Sequence, residues 1–192
     1  VQPNPGHAAL AALQQRFAQF TLVTQNIDSL HQRAGSREVV ELHGNIARVK
    51  CSREDTIVSE FPPDESPPRC HCGAWLRPDV VWFGEMLPAD ALARAEEAYR
   101  QVLATHPAHF DALHLLGVVA LQTNRLAEAA DLIGRAITAQ PRNAVFHSNV
   151  DNVMKALGRP LEALESYDRA TRLQPDFADA WNNRGVALDS LG

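Results

Sequence analysis

No stretch of these 192 residues stays apolar for the roughly 18 positions a membrane helix needs, and no charged-then-apolar segment stands at the N-terminus. Basic charge is not in excess either. The net charge is −5, made up of −3 over residues 1–90 and −2 over residues 91–192, so no nucleic-acid surface is indicated. Glycines do not cluster in the first half: Gly6, Gly35, Gly44, Gly73 and Gly84 stand singly. That leaves residues 1–90 without the glycine-rich turn whose backbone amides cradle a pyrophosphate at a helix N-terminus. Cysteine is scarce, with three residues and no Cys-x-x-Cys pair. The default expectation is a cytoplasmic protein with no nucleic-acid partner and no membrane span.

Composition divides the chain. All three cysteines and eight of twelve prolines precede residue 89, which joins two unlike halves. Neither Val1 nor Gly192 reads as a natural terminus, so both ends are expected to be cuts.

In the first half, Asn4 can cap and Pro5 can begin a helix running to Phe17. Thr21 to Gln25 and Val39 to Leu42 read as short buried strands flanking a small helix from Ser29 to Arg33 that stops at Gly35. Ile46 to Cys51 alternates as a strand should, Ser52 to Arg69 is acidic, proline-rich and aperiodic, and Val80 to Gly84 reads as extended. Polar residues fall at the strand ends, the edge where ligands sit in open α/β sheets. There the amides Gln25 and Asn26, the carboxylate Asp28 and the imidazole His43 can bind a hydroxylated ligand and move one proton near neutral pH.

The order Thr24-Gln25-Asn26-Ile27-Asp28-x-Leu30-His31-x-Arg33-Ala34-Gly35, then Glu41-Leu42-His43-Gly44, resembles the core motifs of sirtuins, the NAD-dependent protein-lysine deacylases. The likeness extends back through Pro3-Asn4-x-Gly6-His7-x-Ala9-Leu10 and forward through Leu76 to Glu85, covering about residues 1–90, and is closest to bacterial members. It implies an α/β fragment, part of a Rossmann-like core with a small cysteine module. It also implies NAD as co-substrate and an acylated protein or peptide as substrate. By position, His43 resembles the catalytic base that takes a proton from the NAD ribose as the acyl oxygen displaces nicotinamide, giving free lysine, nicotinamide and 2′-O-acyl-ADP-ribose. Gln25, Asn26 and Asp28 resemble the nicotinamide and ribose contacts. Val81, Trp82, Phe83 and Gly84 match the segment that pairs by backbone with the substrate peptide, against the plainer reading of a core strand with Trp82 and Phe83 packed inside. Two family elements are missing from these residues: the glycine-rich turn, expected before Val1, and the Gly-Thr-Ser turn with its following strands, expected after Glu85.

Most sirtuins hold zinc with two Cys-x-x-Cys pairs. Here Cys51 and Cys70 match the first member of each pair, while Glu54 and Gly73 stand where the second members belong and Cys72 sits beside Gly73. Cys51, Cys70 and Cys72, with His71 or a carboxylate, could make a tetrahedral zinc site within residues 51–73; the alternative is buried reduced thiols.

Residues 91–192 follow another period. Pro107, Pro141 and Pro175 are 34 apart, as are Ala129 and Ala163, Ala136 and Ala170, and Leu113, His147 and Trp181. This is similar to the tetratricopeptide (TPR) repeat and implies an all-α array: a second helix at 90–105, full repeats at 110–140 and 144–174, and a lone helix at 178–191. Gly117, Asp151 and Gly185 share the small-residue position. Asn149 and Asn183 share a place on the first helices where paired amides could hold a peptide or protein on the concave face, although Leu115 breaks the ladder; the alternative is a merely solvated face. The segment from Ala91 to Ala98 suits either half. Two functions stand: a deacylase module, incomplete for catalysis, on a protein-recruiting array, or an interaction scaffold carrying a catalytically empty remnant.

Overall fold

The first amides of a helix need acceptors, and Asn4 supplies one. Its Oδ1 accepts from the His7 amide at 3.1 Å, His7 Nδ1 accepts from the Asn4 amide at 3.3 Å, and Pro5 takes the first helical position. In the computed structural model, which describes residues 1–61, 66–82, 84–189 and 191, this box opens α1 (Pro5–Gln14). The helix ends before the expected Phe17. Arg16 closes a tight turn onto the Leu13 carbonyl, and Phe17 is exposed, so no apolar contact holds a further turn.

The chain divides into two compact units, Val1–Arg94 and Ala95–Gly192. In the first, β1 (Leu22–Thr24), the one-turn α2 (Leu30–Arg33) and β2 (Val39–Glu41) form a strand-helix-strand unit. The strands pair in parallel, Leu22 opposite Val39 and Thr24 opposite Glu41, with Val40 buried. Next, β3 (Gly44–Cys51) pairs antiparallel with β4 (Leu76–Val80). Pro78 donates no ladder bond, and it lies beside the register shift between Asn45 and Val49, where pairing is already interrupted.

The extended segment expected at Val80 to Gly84 is a correction. The strand finishes at Val80, and the chain turns where Glu85 N–H donates to the Trp82 carbonyl at 3.0 Å. Arg77, Pro78 and Asp79 disguise β4 because polar and proline residues carry little strand preference. Their charges are neutralised locally: Asp79 meets Arg48 at 2.8 Å and Arg77 meets Glu85 at 3.1 Å. Gly44 has φ +75°, and a Cβ there would lie 2.2 Å from the Asp79 carbonyl oxygen, so only glycine brings β3 against β4.

The unit boundary falls inside α3 (Ala89–Thr105). The second unit continues with α4 (Phe110–Gln122), α5 (Leu126–Ala139), α6 (Ala144–Ala156), α7 (Pro160–Leu173) and α8 (Ala178–Asp189). Side chains of Leu113, Leu116, Ile133, Phe146 and Val153 make a continuous core, with Tyr99 and Leu103 of α3 packed on it. Each buried Leu or Ile contributes about 1.5–3 kcal/mol. The 34-residue period has a contact behind it. His147 Nε2 donates to the Pro141 carbonyl at 3.0 Å and Trp181 Nε1 to the Pro175 carbonyl at 2.9 Å, the same bond one repeat apart. On the polar side, Glu96 and Glu128 hold Arg100 and Arg125 at 2.5–3.0 Å.

The small-residue position is used in three ways. At Gly117 a Cβ would come within 2.5 Å of Ile133, whereas at Gly185 nothing stands within 4 Å. Asp151 occupies it between α6 and α7, fully buried, with no hydrogen-bond partner on either oxygen. Burial pushes this carboxyl up to about 8; Ser166 opposes the shift, but its hydroxyl donates to the Glu162 carbonyl. None of the described helices is long and apolar enough to cross a membrane.

Candidate functional site

Parallel strands bring their C-terminal ends to one edge, and here that edge gathers the polar motif. Gln25 follows β1 directly and His43 follows β2 after Leu42, whose amide donates to the Thr24 carbonyl at 2.9 Å. His43 Nδ1 lies 3.1 Å from the Gln25 carbonyl oxygen. A carbonyl only accepts, so Nδ1 carries a proton, and in the neutral ring Nε2 is the nitrogen with the lone pair. His43 is half-buried, while Gln25, Asn26 and Asp28 are exposed. Thr24 Oγ1 accepts from the Asn26 amide at 3.0 Å, and Asp28 Oδ1 accepts from the Leu30 amide at 3.0 Å, fixing the loop between β1 and α2.

Beneath this edge lies a polar network that the sequence motif did not single out. Asn45 is buried; its Nδ2 donates to Glu41 Oε1 at 2.6 Å, and its Oδ1 accepts from Ser29 Oγ at 2.7 Å and from the Ala47 amide at 3.0 Å. Glu41 in turn pairs with Arg48 at 2.8 Å, and Arg48 with Asp79. The turn bearing His43 and Gly44 is thus tied to Ser29, just before α2, by a neutral hydrogen bond and to β2 and β4 by charge-assisted ones. The adjacency of Asn45 to the His43-Gly44 pair was the available signal. A cavity of about 440 Å³ beside β2 and β3 is lined by Glu41, Gly44, Arg48, Lys50, Asp55 and Asp79 among others, and by none of Gln25, Asn26, Asp28 and His43.

In the expected substrate segment, Val81 N–H donates to the His43 carbonyl at 3.1 Å, which places the start of this segment directly beside His43. Trp82 is exposed, so it is not packed inside as a core strand would have it. Its amide donates to Glu85 Oε2 at 3.0 Å and its carbonyl accepts from the Glu85 amide. Gly84 has φ +86°, and Phe83 lies outside the described residues. Glu85, held below the usual carboxylate range first by that Trp82 amide and then by Arg77, was missed because its role is to close a turn.

Cys51, at the end of β3, and Cys70 are buried, and Cys72 is half-buried beside them. Cys51 Sγ lies 3.5 Å from Cys72 Sγ, and Cys70 Sγ 4.0 Å from Glu54 Oε2; the four donor atoms fall within 4.8 Å of one another. Zinc bonds of about 2.3 Å to sulfur require tetrahedral edges near 3.8 Å, so this donor set fits zinc. The Glu54 amide donates to Cys51 Sγ at 3.4 Å and holds that thiol below its ordinary range. His71 is on the outside: its Nδ1 contacts Cys70 Sγ at 3.3 Å, its Nε2 lies 3.7 Å from Glu54, and its side chain is 80% exposed.

On the helices, Asn149 and Asn183 are both half-buried. Asn149 Nδ2 donates to His114 Nε2 at 2.7 Å, and His114, stacked on Phe146 at 4.5 Å, is pushed down to about 4 by burial. His114 is therefore neutral and accepting.

A polar edge on parallel strands, a histidine with a fixed tautomer and a cysteine module on an adjacent hairpin are the parts found together in one class. The Sir2 family model matches residues 1–105, and the chain belongs to that family. Tetratricopeptide-repeat models match residues 90–144 and 152–192. Both families thus account for α3. The NAD-dependent protein deacylase of Aquifex aeolicus is 53% identical over 103 residues, which are 52% of this chain and 43% of that protein. The NAD-dependent protein deacylase 1 of Pseudomonas aeruginosa is 50% identical over 105 residues, 50% of this chain and 42% of the relative. A solved Sir2 homologue–NAD complex is 46% identical over 52% of this chain and 40% of its own, with a TM-score of 0.47. The chain therefore spans about two fifths of the length of these relatives.

The residues at the His43 edge suit the hydroxyls of a ribose: exposed amides, a carboxylate and an imidazole nitrogen not engaged by Gln25. They offer less to a pyrophosphate. The α1 N-terminus has its Asn4 and His7 amides taken by its own capping box, and the positive-φ glycines of residues 1–94 stand singly.

Proposed function

We propose that residues 1–90 form the ribose and acyl-lysine side of an NAD-dependent protein-lysine deacylase site, with His43 as its base, and that the tetratricopeptide array recruits the protein bearing the lysine. The observation that carries this reading is the His43–Gln25 contact at 3.1 Å, which leaves Nε2 as a proton acceptor at the C-terminal edge of β1 and β2. NAD, when bound, supplies an electrophilic ribose carbon once nicotinamide leaves. On this reading Nε2 of His43 takes the ribose hydroxyl proton while the Gln25 carbonyl holds the imidazolium. Asn26 and Asp28 flank the nicotinamide ribose, and the segment of Val81, Trp82, Phe83 and Gly84 contacts the peptide, the Trp82 backbone being already paired with Glu85. Three unpaired cysteines suit the cytoplasm. On the helices, Asn183 and the carbonyl side of Asn149 are the amides assigned to a peptide backbone.

The polypeptide of residues 1–192 alone is not expected to turn over. Its described residues position the base but offer no free amide cradle to the dinucleotide, and a base acts only on a substrate already held. The test is exchange of residues 1–85 into the Aquifex aeolicus relative. The expected chimera releases nicotinamide with an acetyl- or succinyl-lysine peptide and loses about 10²- to 10⁴-fold in kcat/KM on His43→Ala. A folded chimera that is inactive, or one indifferent to His43→Ala, contradicts the reading.

A further inference from the structure

We infer that Glu54, not His71, is the fourth ligand of a three-thiolate, one-carboxylate zinc site that clamps the loop end of the β3–β4 hairpin and exchanges its metal from the Glu54 side. The inference rests on the side-chain cluster alone and is independent of the deacylase reading. Cys51 ends β3 opposite Leu76, the first residue of β4, so whatever binds its sulfur acts where the two strands separate. Cys70 and Cys72 arrive from the loop before β4, and a narrow turn aims both inward: Gly73 N–H donates to the Cys70 carbonyl at 2.8 Å and Cys70 N–H to the Ala74 carbonyl at 2.8 Å. Arg53 Nη1 ties the other side by donating to the Cys72 carbonyl at 3.1 Å.

Three sulfurs leave one corner of the tetrahedron, and two side chains compete for it. Glu54 fills it: its Oε2 belongs to the four-atom cluster. His71 does not join that cluster: its Nδ1 touches Cys70 Sγ at 3.3 Å and its Nε2 lies 3.7 Å from the same Glu54 Oε2, but its side chain is 80% exposed. At 3.7 Å the ring makes no hydrogen bond to that oxygen and stands outside the donor set. Glu54 follows Cys51 by three residues, the spacing at which a thiolate commonly completes such a corner, so a harder oxygen donor stands in a soft site. Its side chain is 38% exposed, whereas Cys51 and Cys70 are buried. The metal therefore sits behind three sulfurs with its oxygen corner turned to solvent, the corner from which a competing chelator enters.

The test uses the full chain, zinc chloride, cobalt(II) and a chromophoric chelator. The expected result is one zinc per chain. Glu54→Gln should weaken retention against the chelator by about tenfold or more, Glu54→Cys should tighten it by a similar factor, and His71→Ala should shift it by no more than about threefold. In the cobalt form, thiolate-to-metal charge-transfer absorption per metal should rise in Glu54→Cys in the ratio of four sulfurs to three. This reading needs no loss-of-function variant, and the helical signal of residues 95–192 reports whether each chain is folded. Zinc near zero in chain purified without chelator, an unchanged cobalt spectrum in Glu54→Cys, or a loss of zinc in His71→Ala matching that in Glu54→Gln overturns the assignment.

Discussion

The edge that carries His43 is held by polar bonds made once, whereas the helices of residues 95–192 are held by apolar contacts made again every 34 residues. Between Gly44 and Val80 specific polar partners recur: Asn45 with Glu41 and Ser29, Arg48 with Asp79. In the array the same core position can be Gly, Asp or Gly and the helices still stack. Repetition spreads the stabilisation over many weak contacts, so one poor residue is tolerated; a unique network concentrates it, so one lost partner is not.

Substitution at Gly44 is the strongest way to expose that difference. Gly44→Ala must place a Cβ against the Asp79 carbonyl and hold φ at +75°, which should cost on the order of 3 kcal/mol. The expected outcome is loss of hydrogen-exchange protection across β3 and β4 with unchanged helical melting of residues 95–192. A uniform drop in both would erase the contrast. Two alanines then compare positions within the array. Gly117→Ala, forced against Ile133, should destabilise by about 1–3 kcal/mol, while Gly185→Ala, in open space, should stabilise by up to about 1 kcal/mol through helix propensity. Thermal melts at 222 nm read both signs.

Asp151 gives a pH-dependent effect. Its carboxyl is raised from 3.8 to about 8 in the folded array, so the folded state holds that proton more tightly than the unfolded chain. The array should therefore be most stable below the ordinary carboxylate range and lose stability as pH rises towards 8, levelling off above it. Asp151→Asn should remove this decline, and Asp151→Gly should raise stability near neutral pH by on the order of 1 kcal/mol. Tyr167, pushed up to about 12 by burial and by Asp151, stays neutral over that range. Denaturant titrations at a series of pH values test the slope; a flat profile contradicts the burial of an unpartnered carboxylate.

What was legible in the sequence follows the same division. Spacing of 34 made the repeats legible because periodic burial writes itself periodically, and even the His147 and Trp181 bonds to proline carbonyls recur in register. The cluster of Gln25, Asn26, Asp28 and His43 was legible because residues just beyond parallel strands share an edge. β4 was not, since Arg77-Pro78-Asp79 reads as loop until Arg48 and the bulge opposite are known. The choice between Glu54 and His71 also escaped the sequence. Chain proximity favours His71 beside Cys70 and Cys72, and only the folded turn shows that its ring faces out.

The central claim, that this chain positions a base without anchoring the dinucleotide, meets its most direct test in calorimetry of NAD against the 192-residue chain, followed by nicotinamide release with an acetyl-lysine peptide. The account predicts no binding at micromolar NAD and no release above the uncatalysed background. Micromolar binding with turnover that disappears on His43→Ala would contradict it and show that these residues hold NAD by contacts other than a helix-terminal amide cradle.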